Sequence, residues 1–283
     1  MLACGILHEG GSVVLIDPGP SSTLPTLRRH LLRSGIDVSD VTAILLTHIH
    51  LDHAGATGTL LRENPRLRVY VHESGARHMA DPSKLLASAA RLYGDAMERL
   101  WGEIVPVPHD AMALLAGGER IRVGSRGLDV AYTPGHASHH VSFFSADTGI
   151  AFVGDTAGIQ VVPGGFVLPP TPPPDIDLER WGQSLNTIEE WRADTLFLTH
   201  FGPAAPSGHH LAELRAQLDL VGRLAAQSLT REGGDDRQEA WFIDQVREEL
   251  RRRMGDEDAR AYETACRFDL NWRGLARYWK KRA

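Results

Sequence analysis

The chain has 283 residues, of which 42% are hydrophobic, so it is long enough to bury a sizeable core in one large domain or in a main domain with a smaller appendage. Its formal net charge of −6 argues against a large nucleic-acid footprint, which needs clustered Lys and Arg. No stretch approaches the roughly 20 consecutive apolar residues of a membrane helix, and the first residues lack a basic segment followed by an apolar one. We therefore expect no membrane segment and a cytoplasmic protein.

Strand-like and helix-like segments alternate in the first part of the chain. Ser12–Ile16 is an apolar run that ends in the turn-forming sequence Asp17-Pro18-Gly19-Pro20, and leucines at helical spacing follow as far as Gly35. Residues 41–46 form a short apolar run of the kind expected for a strand buried on both faces. With a helix predicted at 57–64 and a strand at 67–71, the pattern is β-α-β-α-β.

The pattern changes in the middle of the chain. Residues 83–101 carry apolar side chains at helical intervals, which predicts a helical insertion. Short strands separated by glycines follow, which indicates a second sheet with strands at 121–123, 128–133, 141–144 and 150–153. Residues 163–174 are rich in Pro and Gly and are predicted to form a long loop that could fold over a site.

The last part of the chain is predicted to be helical. A helix at 177–191 and a buried strand at Thr195–Leu198 precede it. Beyond residue 206 there is no strand pattern, and amphipathic helices are predicted at 211–229, 237–254, 256–267 and 270–281. We therefore place a domain boundary near residue 206, between a main domain of residues 1–206 and a helical extension of residues 207–283.

The two cysteines, Cys4 and Cys266, lie near opposite ends of the chain and suggest neither a disulfide framework nor a thiolate zinc site. Histidine and carboxylate side chains are therefore the candidate metal ligands and catalytic groups. Potential metal ligands are concentrated in the segment His48-Ile49-His50-Leu51-Asp52-His53, directly after a predicted strand. Imidazole and carboxylate suit zinc, iron or manganese. This cluster could hold one ion, and a second ion needs further ligands. Candidates that also follow apolar runs are His136, Asp155 and His200.

The order and spacing of these seven residues resemble a known family. The motif HxHxDH at residues 48–53, followed by His, Asp and His, resembles the metallo-β-lactamase superfamily, which includes the glyoxalase II thioesterases and acyl-homoserine lactonases. The resemblance covers about residues 5–203. It implies an α/β fold, an αββα sandwich of two mixed sheets with helices outside, here with a C-terminal helical extension, and it makes residues 1–206 the catalytic domain.

The resemblance also implies a role for each residue. The implied ligands of a first ion are His48, His50 and His136, those of a second are Asp52, His53 and His200, and Asp155 would bridge the two. The expected cofactors are two divalent ions, zinc with iron or manganese as alternatives, which lower the pKa of a shared water and polarise the substrate. Asp52 would also act catalytically, by orienting the resulting hydroxide or relaying a proton to the leaving group.

The expected activity is hydrolysis of an ester, thioester, lactone or amide bond in a small-molecule substrate. Persulfide dioxygenases of the same superfamily use a single iron with similar histidines, so an oxidoreductase is an alternative. Phosphodiesterases and nucleases of this fold use the same two metals, but the acidic balance of the chain counts against them. The metal ligands do not specify which of these bonds is cleaved. An exposed apolar face on a helix of the tail could form the interface of a homodimer.

The sequence gives weaker support for a functional role of the other polar residues. Asp17 could orient a ligand histidine, although a residue before Pro18-Gly19 also suits a turn. His140 is a candidate for a hydrogen bond behind the metal ligands. Neighbouring His139, together with His209 and His210 at the start of the tail, is expected to be exposed or capping. The tail aromatics are expected to be core residues, namely Trp241, Trp272, Tyr278 and Trp279.

Overall fold

The computed structural model describes residues 1–163 and 165–282. Gly164, which belongs to the segment predicted to be a long loop, lies outside the described residues. The protein has a mixed α/β fold in which two β-sheets are flanked by helices, with further helices in the last third of the chain. This architecture confirms the predicted fold class.

The first sheet contains the strands of the β-α-β-α-β pattern. Its order is β1-β2-β3-β4-β5, with the bounds Gly5–Glu9, Ser12–Ile16, Val41–Leu45, Arg68–His72 and Met112–Leu115. Strands β2 to β5 are parallel, and β1 lies antiparallel to β2 at one edge. The two edge strands β1 and β5 were not predicted.

Helices connect these strands and bury their apolar faces. Their bounds are α1 Leu24–Arg33, α2 Leu51–Ala54, α3 Thr57–Glu63, α4 Glu73–Ala80, α5 Ser83–Tyr93 and α6 Met97–Trp101. The segment predicted as an insertion at 83–101 is helical, and it is divided at Gly94, which has a φ of +50°. Helix α4 was not predicted.

One hydrophobic core packs α1 against β3. Helix α1 buries Leu24, Leu27 and Leu31, and these pack in the same cluster as Ile44 of β3. Fully burying one such side chain stabilises the fold by about 1.5–3 kcal/mol. The strand is thereby held in place, and the segment that follows it, residues 46–50, begins at a defined position.

The second sheet has the order β11-β10-β9-β8-β7-β6. In chain order its strands are β6 Arg120–Val123, β7 Arg126–Tyr132, β8 Val141–Ser145, β9 Ile150–Gly154, β10 Thr195–Leu198 and β11 Gly202–Ala204. Neighbours from β6 to β9 are antiparallel, as are β10 and β11. All of them were predicted except β11, which has only three residues.

The remaining helices are α7 Leu178–Glu190, α8 Ser207–Leu229, α9 Asp235–Arg253, α10 Asp256–Ala265 and α11 Phe268–Lys280. The chain divides into two compact units, one comprising Leu2–Tyr132 and His139–Gly154, the other Met1, Thr133–Ser138 and Asp155–Ala283. The domain boundary near residue 206 stays a prediction, although β11 ends just before it and α8 begins just after it. Among the described residues, no helix combines the length and apolarity that crossing a membrane requires.

Candidate metal centre

The segment from His48 to His53 lies at the carboxyl end of β3. The strand ends at Leu45, and α2 begins at Leu51 with the amide groups of His53 and Ala54 bonded to the carbonyl of His50. His48 and His53 are fully buried, whereas the Asp52 side chain is 25% exposed. The short helix therefore presents two adjacent ligand candidates, one enclosed and one open to solvent.

The nitrogen and oxygen atoms of this segment form two close pairs. His48 Nε2 lies 3.0 Å from His50 Nδ1. His53 Nε2 lies 3.9 Å from Asp52 Oδ2. Each pair brings together two atoms that could bind one metal ion.

Buried Asp17 fixes the orientation of this segment. Its carboxylate accepts hydrogen bonds from the Thr47 amide at 2.8 Å, from the Thr47 hydroxyl at 2.7 Å and from His53 Nδ1 at 2.8 Å. The Thr47 hydroxyl is also 3.1 Å from Nδ1 of His48. Metal-binding histidines usually have their second nitrogen held in this way, which fixes the tautomer and leaves the other nitrogen for the ion. The predicted supporting role of Asp17 thus has a geometric basis.

His136, Asp155 and His200 follow the strands β7, β9 and β10, as predicted. Asp155 lies between the two histidines, with Oδ2 3.5 Å from His136 Nε2 and Oδ1 3.4 Å from His200 Nε2. His136 Nδ1 is 2.8 Å from the carbonyl oxygen of Pro170. The carboxylate thus faces a different imidazole with each of its oxygen atoms, as a bridging ligand requires.

A close backbone approach holds His136 in place. The preceding residue, Gly135, has a φ of +143°, and a Cβ atom there would lie 2.4 Å from Cβ of Trp181 in α7. The Trp181 indole donates a 2.7 Å hydrogen bond to the carbonyl of Thr156, next to Asp155. The buried Trp181 side chain therefore packs next to His136 and forms a hydrogen bond next to Asp155.

Two histidines that were expected to be exposed or capping are buried, so these predictions are wrong. His139 accepts a 3.4 Å hydrogen bond from the Ile49 amide, and its ring stacks on that of His48. His210 donates from Nε2 to the carbonyl of Ala157 at 2.7 Å, and burial lowers the pKa of this imidazole below its usual 6.5. His209 is exposed. Their neighbours in sequence gave no sign of this burial, which depends on packing.

His140 is fully buried, and its ring stacks on that of His48 at a centroid distance of 4.9 Å. The following strand is tied to the metal segment, because the Val141 amide bonds to the carbonyl of Thr47. Gly154 leaves the space that these groups occupy, since a Cβ atom there would lie 2.5 Å from Thr47 Oγ1 and 2.6 Å from His140 Nε2. His140 therefore lies behind the ligand candidates, where a supporting residue was expected.

Within the described residues, three groups of side chains could each hold a metal ion. Each of the seven ligand candidates predicted from the sequence belongs to at least one such group. The donors are imidazoles and carboxylates, mostly buried, which fits a divalent zinc, iron or manganese ion. The donor chemistry therefore suits divalent metal binding.

Comparisons with known proteins agree with this description. The sequence model described as "Metallo-beta-lactamase superfamily" matches residues 3–200. A metallo-beta-lactamase fold-containing protein, ST1585 from Sulfurisphaera tokodaii, is 28% identical over 229 residues, covering 77% of this chain and 82% of the relative. A hydroxyacylglutathione hydrolase from Cereibacter sphaeroides is 30% identical over 177 residues, but these span only 51% of its length.

Solved structures show the same fold. The metallo-beta-lactamase family protein TTHA1429 from Thermus thermophilus superposes with a TM-score of 0.75 at 23% identity, covering 99% of this chain and 89% of that one. At this identity the likeness concerns the fold alone. Because the superposition extends through nearly the whole chain, it includes the helices that follow residue 206.

Proposed function

Because the chain belongs to the metallo-β-lactamase superfamily, we propose that it is a hydrolase that uses two divalent metal ions to cleave an ester, thioester, lactone or amide bond. The observation that carries this proposal is the position of Asp155. One of its oxygens lies 3.5 Å from His136 and the other 3.4 Å from His200. A buried carboxylate placed between two imidazoles is suited to bridge two ions.

The close atom pairs His48–His50 and His53–Asp52 support the ligand sets that the family resemblance implies. The first ion would be bound by His48, His50, His136 and one oxygen of Asp155. The second would be bound by Asp52, His53, His200 and the other oxygen of Asp155. Since all donors are nitrogen or oxygen atoms, zinc is the proposed metal, with iron and manganese as alternatives.

Asp17 and Asp52 have different roles in this chemistry. When bound, the ions would supply a water of lowered pKa and polarise the scissile group. Asp17 holds His53 in one tautomer, so Nε2 keeps its lone pair for the ion. Asp52 is a partly exposed carboxylate in this set, so it can orient the attacking water and pass a proton to the leaving group.

Thioesters are the first substrates to examine. Two of the relatives are hydroxyacylglutathione hydrolases, and the matched segments span about half of their length. A small-molecule substrate is therefore proposed here, with the thioester bond as the leading candidate. The cytoplasmic location and a homodimer stay predictions.

The test combines metal analysis with a substrate panel of thioesters, lactones, aryl esters, β-lactams and phosphodiesters. We expect two equivalents of metal and hydrolysis of at least one carboxylic substrate. Asp155→Ala should abolish hydrolysis and reduce bound metal, whereas Asp147→Ala, in an exposed turn, should change neither. Persistent hydrolysis in Asp155→Ala would refute the bridging role. Iron with oxygen uptake on glutathione persulfide, or rapid RNA cleavage, would replace the proposed activity.

A further inference from the structure

The segment between β9 and α7 has little regular structure, and part of it is buried. Residues 166–171 are all buried, so their backbone polar groups need partners within the protein. The tail helices supply several of them. The Tyr262 hydroxyl of α10 donates to the carbonyl of Phe166 and accepts from the Val161 amide at 3.2 Å. The shape of this segment therefore depends on side chains about 100 residues further along the chain.

Asn271 of α11 binds the segment on both sides of Pro170. Its Oδ1 accepts a 3.0 Å hydrogen bond from the Thr171 amide, and its Nδ2 lies 3.5 Å from the carbonyl oxygen of Pro169. The Thr171 hydroxyl donates to the backbone carbonyl of Asn271 at 3.1 Å. Asn271 is 8% exposed, so these contacts are largely shielded from water. Asn271 thereby fixes the position of Pro170 through its two neighbours in sequence, Pro169 and Thr171.

Gly274 lets the helix backbone reach the same segment. It lies almost one turn beyond Asn271, and a Cβ atom there would be 2.0 Å from the carbonyl oxygen of Thr171. Any larger residue would push the segment away from α11. The close approach of Gly274 to Thr171 and the hydrogen bonds of Asn271 to Pro169 and Thr171 therefore hold the same short segment.

The carbonyl oxygen of Pro170 is the atom that this packing positions. It lies 2.8 Å from Nδ1 of His136 and accepts the hydrogen of that nitrogen, which leaves Nε2 of the imidazole facing Asp155. An acceptor on the second nitrogen of a ligand histidine sets both its tautomer and its basicity. The affinity of His136 for an ion therefore depends on where Pro170 is held.

We propose that α11 is a positioning element for the metal centre, in which Asn271 and Gly274 hold the Pro170 carbonyl against His136 and so set the affinity of the first metal site. Neither residue is a catalytic residue, because both act through Pro170. This inference rests on the proposed function, in which His136 is a ligand. It assigns a role to the helical extension that is separate from shaping a substrate pocket.

The inference is tested by comparing variants of α11 with matched variants elsewhere in the same unit. Asn271→Ala removes the side-chain hydrogen bonds on both sides of Pro170, and Gly274→Ala introduces the clash with Thr171. The control for the first is Gln238→Ala, since Gln238 is a buried amide of α9 that binds the carbonyls of Leu229, Arg231 and Gly233. The control for the second is Gly182→Ala in α7, where nothing lies within 4 Å of the added Cβ.

The readout is the affinity of each metal site, measured by chelator competition with Zn²⁺ and by the visible spectrum of protein titrated with Co²⁺. We expect Asn271→Ala and Gly274→Ala to weaken the first ion by about 10- to 100-fold and to leave the second ion largely unchanged. Asn271→Asp keeps the acceptor for the Thr171 amide and should retain most of the affinity. Gln238→Ala should lower the unfolding temperature without changing either affinity, and Gly182→Ala should change neither affinity.

Unchanged affinity for the first ion in Asn271→Ala and Gly274→Ala would overturn the inference and leave the proposed function intact. A wild-type protein that binds no metal would instead refute the proposed function. Should both variants fail to fold, Thr171→Val decides, because it removes only the hydroxyl contact with α11. A first-site affinity in Thr171→Val equal to that of the wild type would also overturn the inference.

Discussion

Replacing Asp17 by Asn is the sharpest test of how the metal segment is held. The Asp17 carboxylate accepts from the Thr47 amide and from Nδ1 of His53, at 2.8 Å each. An amide has only one oxygen, so Asp17→Asn cannot accept from both groups. If its nitrogen faces His53, the imidazole must move its hydrogen to Nε2, the atom proposed to bind the second ion.

The size of the effect follows from these contacts. Losing a partner behind a ligand histidine typically costs 10- to 100-fold in metal affinity, or about 1.4–2.7 kcal/mol. In the metal-free protein, each lost hydrogen bond to a charged group costs about 1.5–3 kcal/mol of unfolding free energy. The backbone adds no strain, since Asp17 has a φ of +50° and Asn tolerates this conformation.

The assay measures the two metal affinities by chelator competition and the stability of the metal-free protein by urea unfolding. We expect Asp17→Asn to weaken the second ion more than the first. Asp37→Asn is the matched control, because Asp37 is an exposed cap that accepts from the Ser39 amide and hydroxyl. Wild-type affinity for both ions in Asp17→Asn would refute the view that Asp17 fixes the tautomer of His53.

Three further predictions concern stability. Burial lowers the pKa of His210 from 6.5, so below about pH 6.5 the unfolded chain takes up a proton that the folded chain does not. The free energy of unfolding should therefore fall as the pH drops below about 6.5. His210→Gln, which can still donate to Ala157, should make this decrease with pH smaller. Trp181→Phe should cost about 2–3 kcal/mol in urea unfolding, because it leaves a cavity and an unpaired carbonyl at Thr156. Removing metal with a chelator should lower the melting temperature, since an ion present at 100 times its Kd stabilises by about 2.7 kcal/mol.

Each of these predictions has an outcome that contradicts it. Identical pH dependence in His210→Gln and wild type would mean that this histidine does not titrate differently on folding. For Trp181→Phe the control is Trp241→Phe, since Trp241 is only partly buried and its ring contacts the Arg231 guanidinium. Equal losses in the two variants would argue against a special role for Trp181. A melting temperature that is the same with and without chelator would argue against metal binding by the folded protein.

Much of the candidate site could be predicted from the sequence because its signals are local. Four of the seven ligand candidates occupy six consecutive positions, and the other three each follow an apolar run. A buried strand followed by polar residues predicts a site at the sheet edge without knowledge of the neighbours. The structure places these residues after β3, β7, β9 and β10. Every predicted strand is present, and only the edge strands β1, β5 and β11 were not predicted.

Burial of individual histidines could not be predicted in this way. His139 and His140 are adjacent and have the same local surroundings, so no periodicity marks His139 as a neighbour of Ile49, 90 residues earlier. His210 lies at the start of an amphipathic helix, where either exposure or capping is the usual outcome. Its contact with Ala157 depends on how α8 packs.

The amino-acid sequence by itself determined which side chains are candidates for metal binding and which strand ends carry them, because residue type and strand periodicity are properties of a few neighbouring residues. Only the tertiary structure decided what holds those ligands in place. Asp17 contacts a histidine 36 residues away, and Asn271 reaches a segment 100 residues earlier that in turn supports His136. Such contacts join residues with no common sequence pattern, since they arise only when the packed core brings distant backbone and side-chain groups within hydrogen-bonding distance.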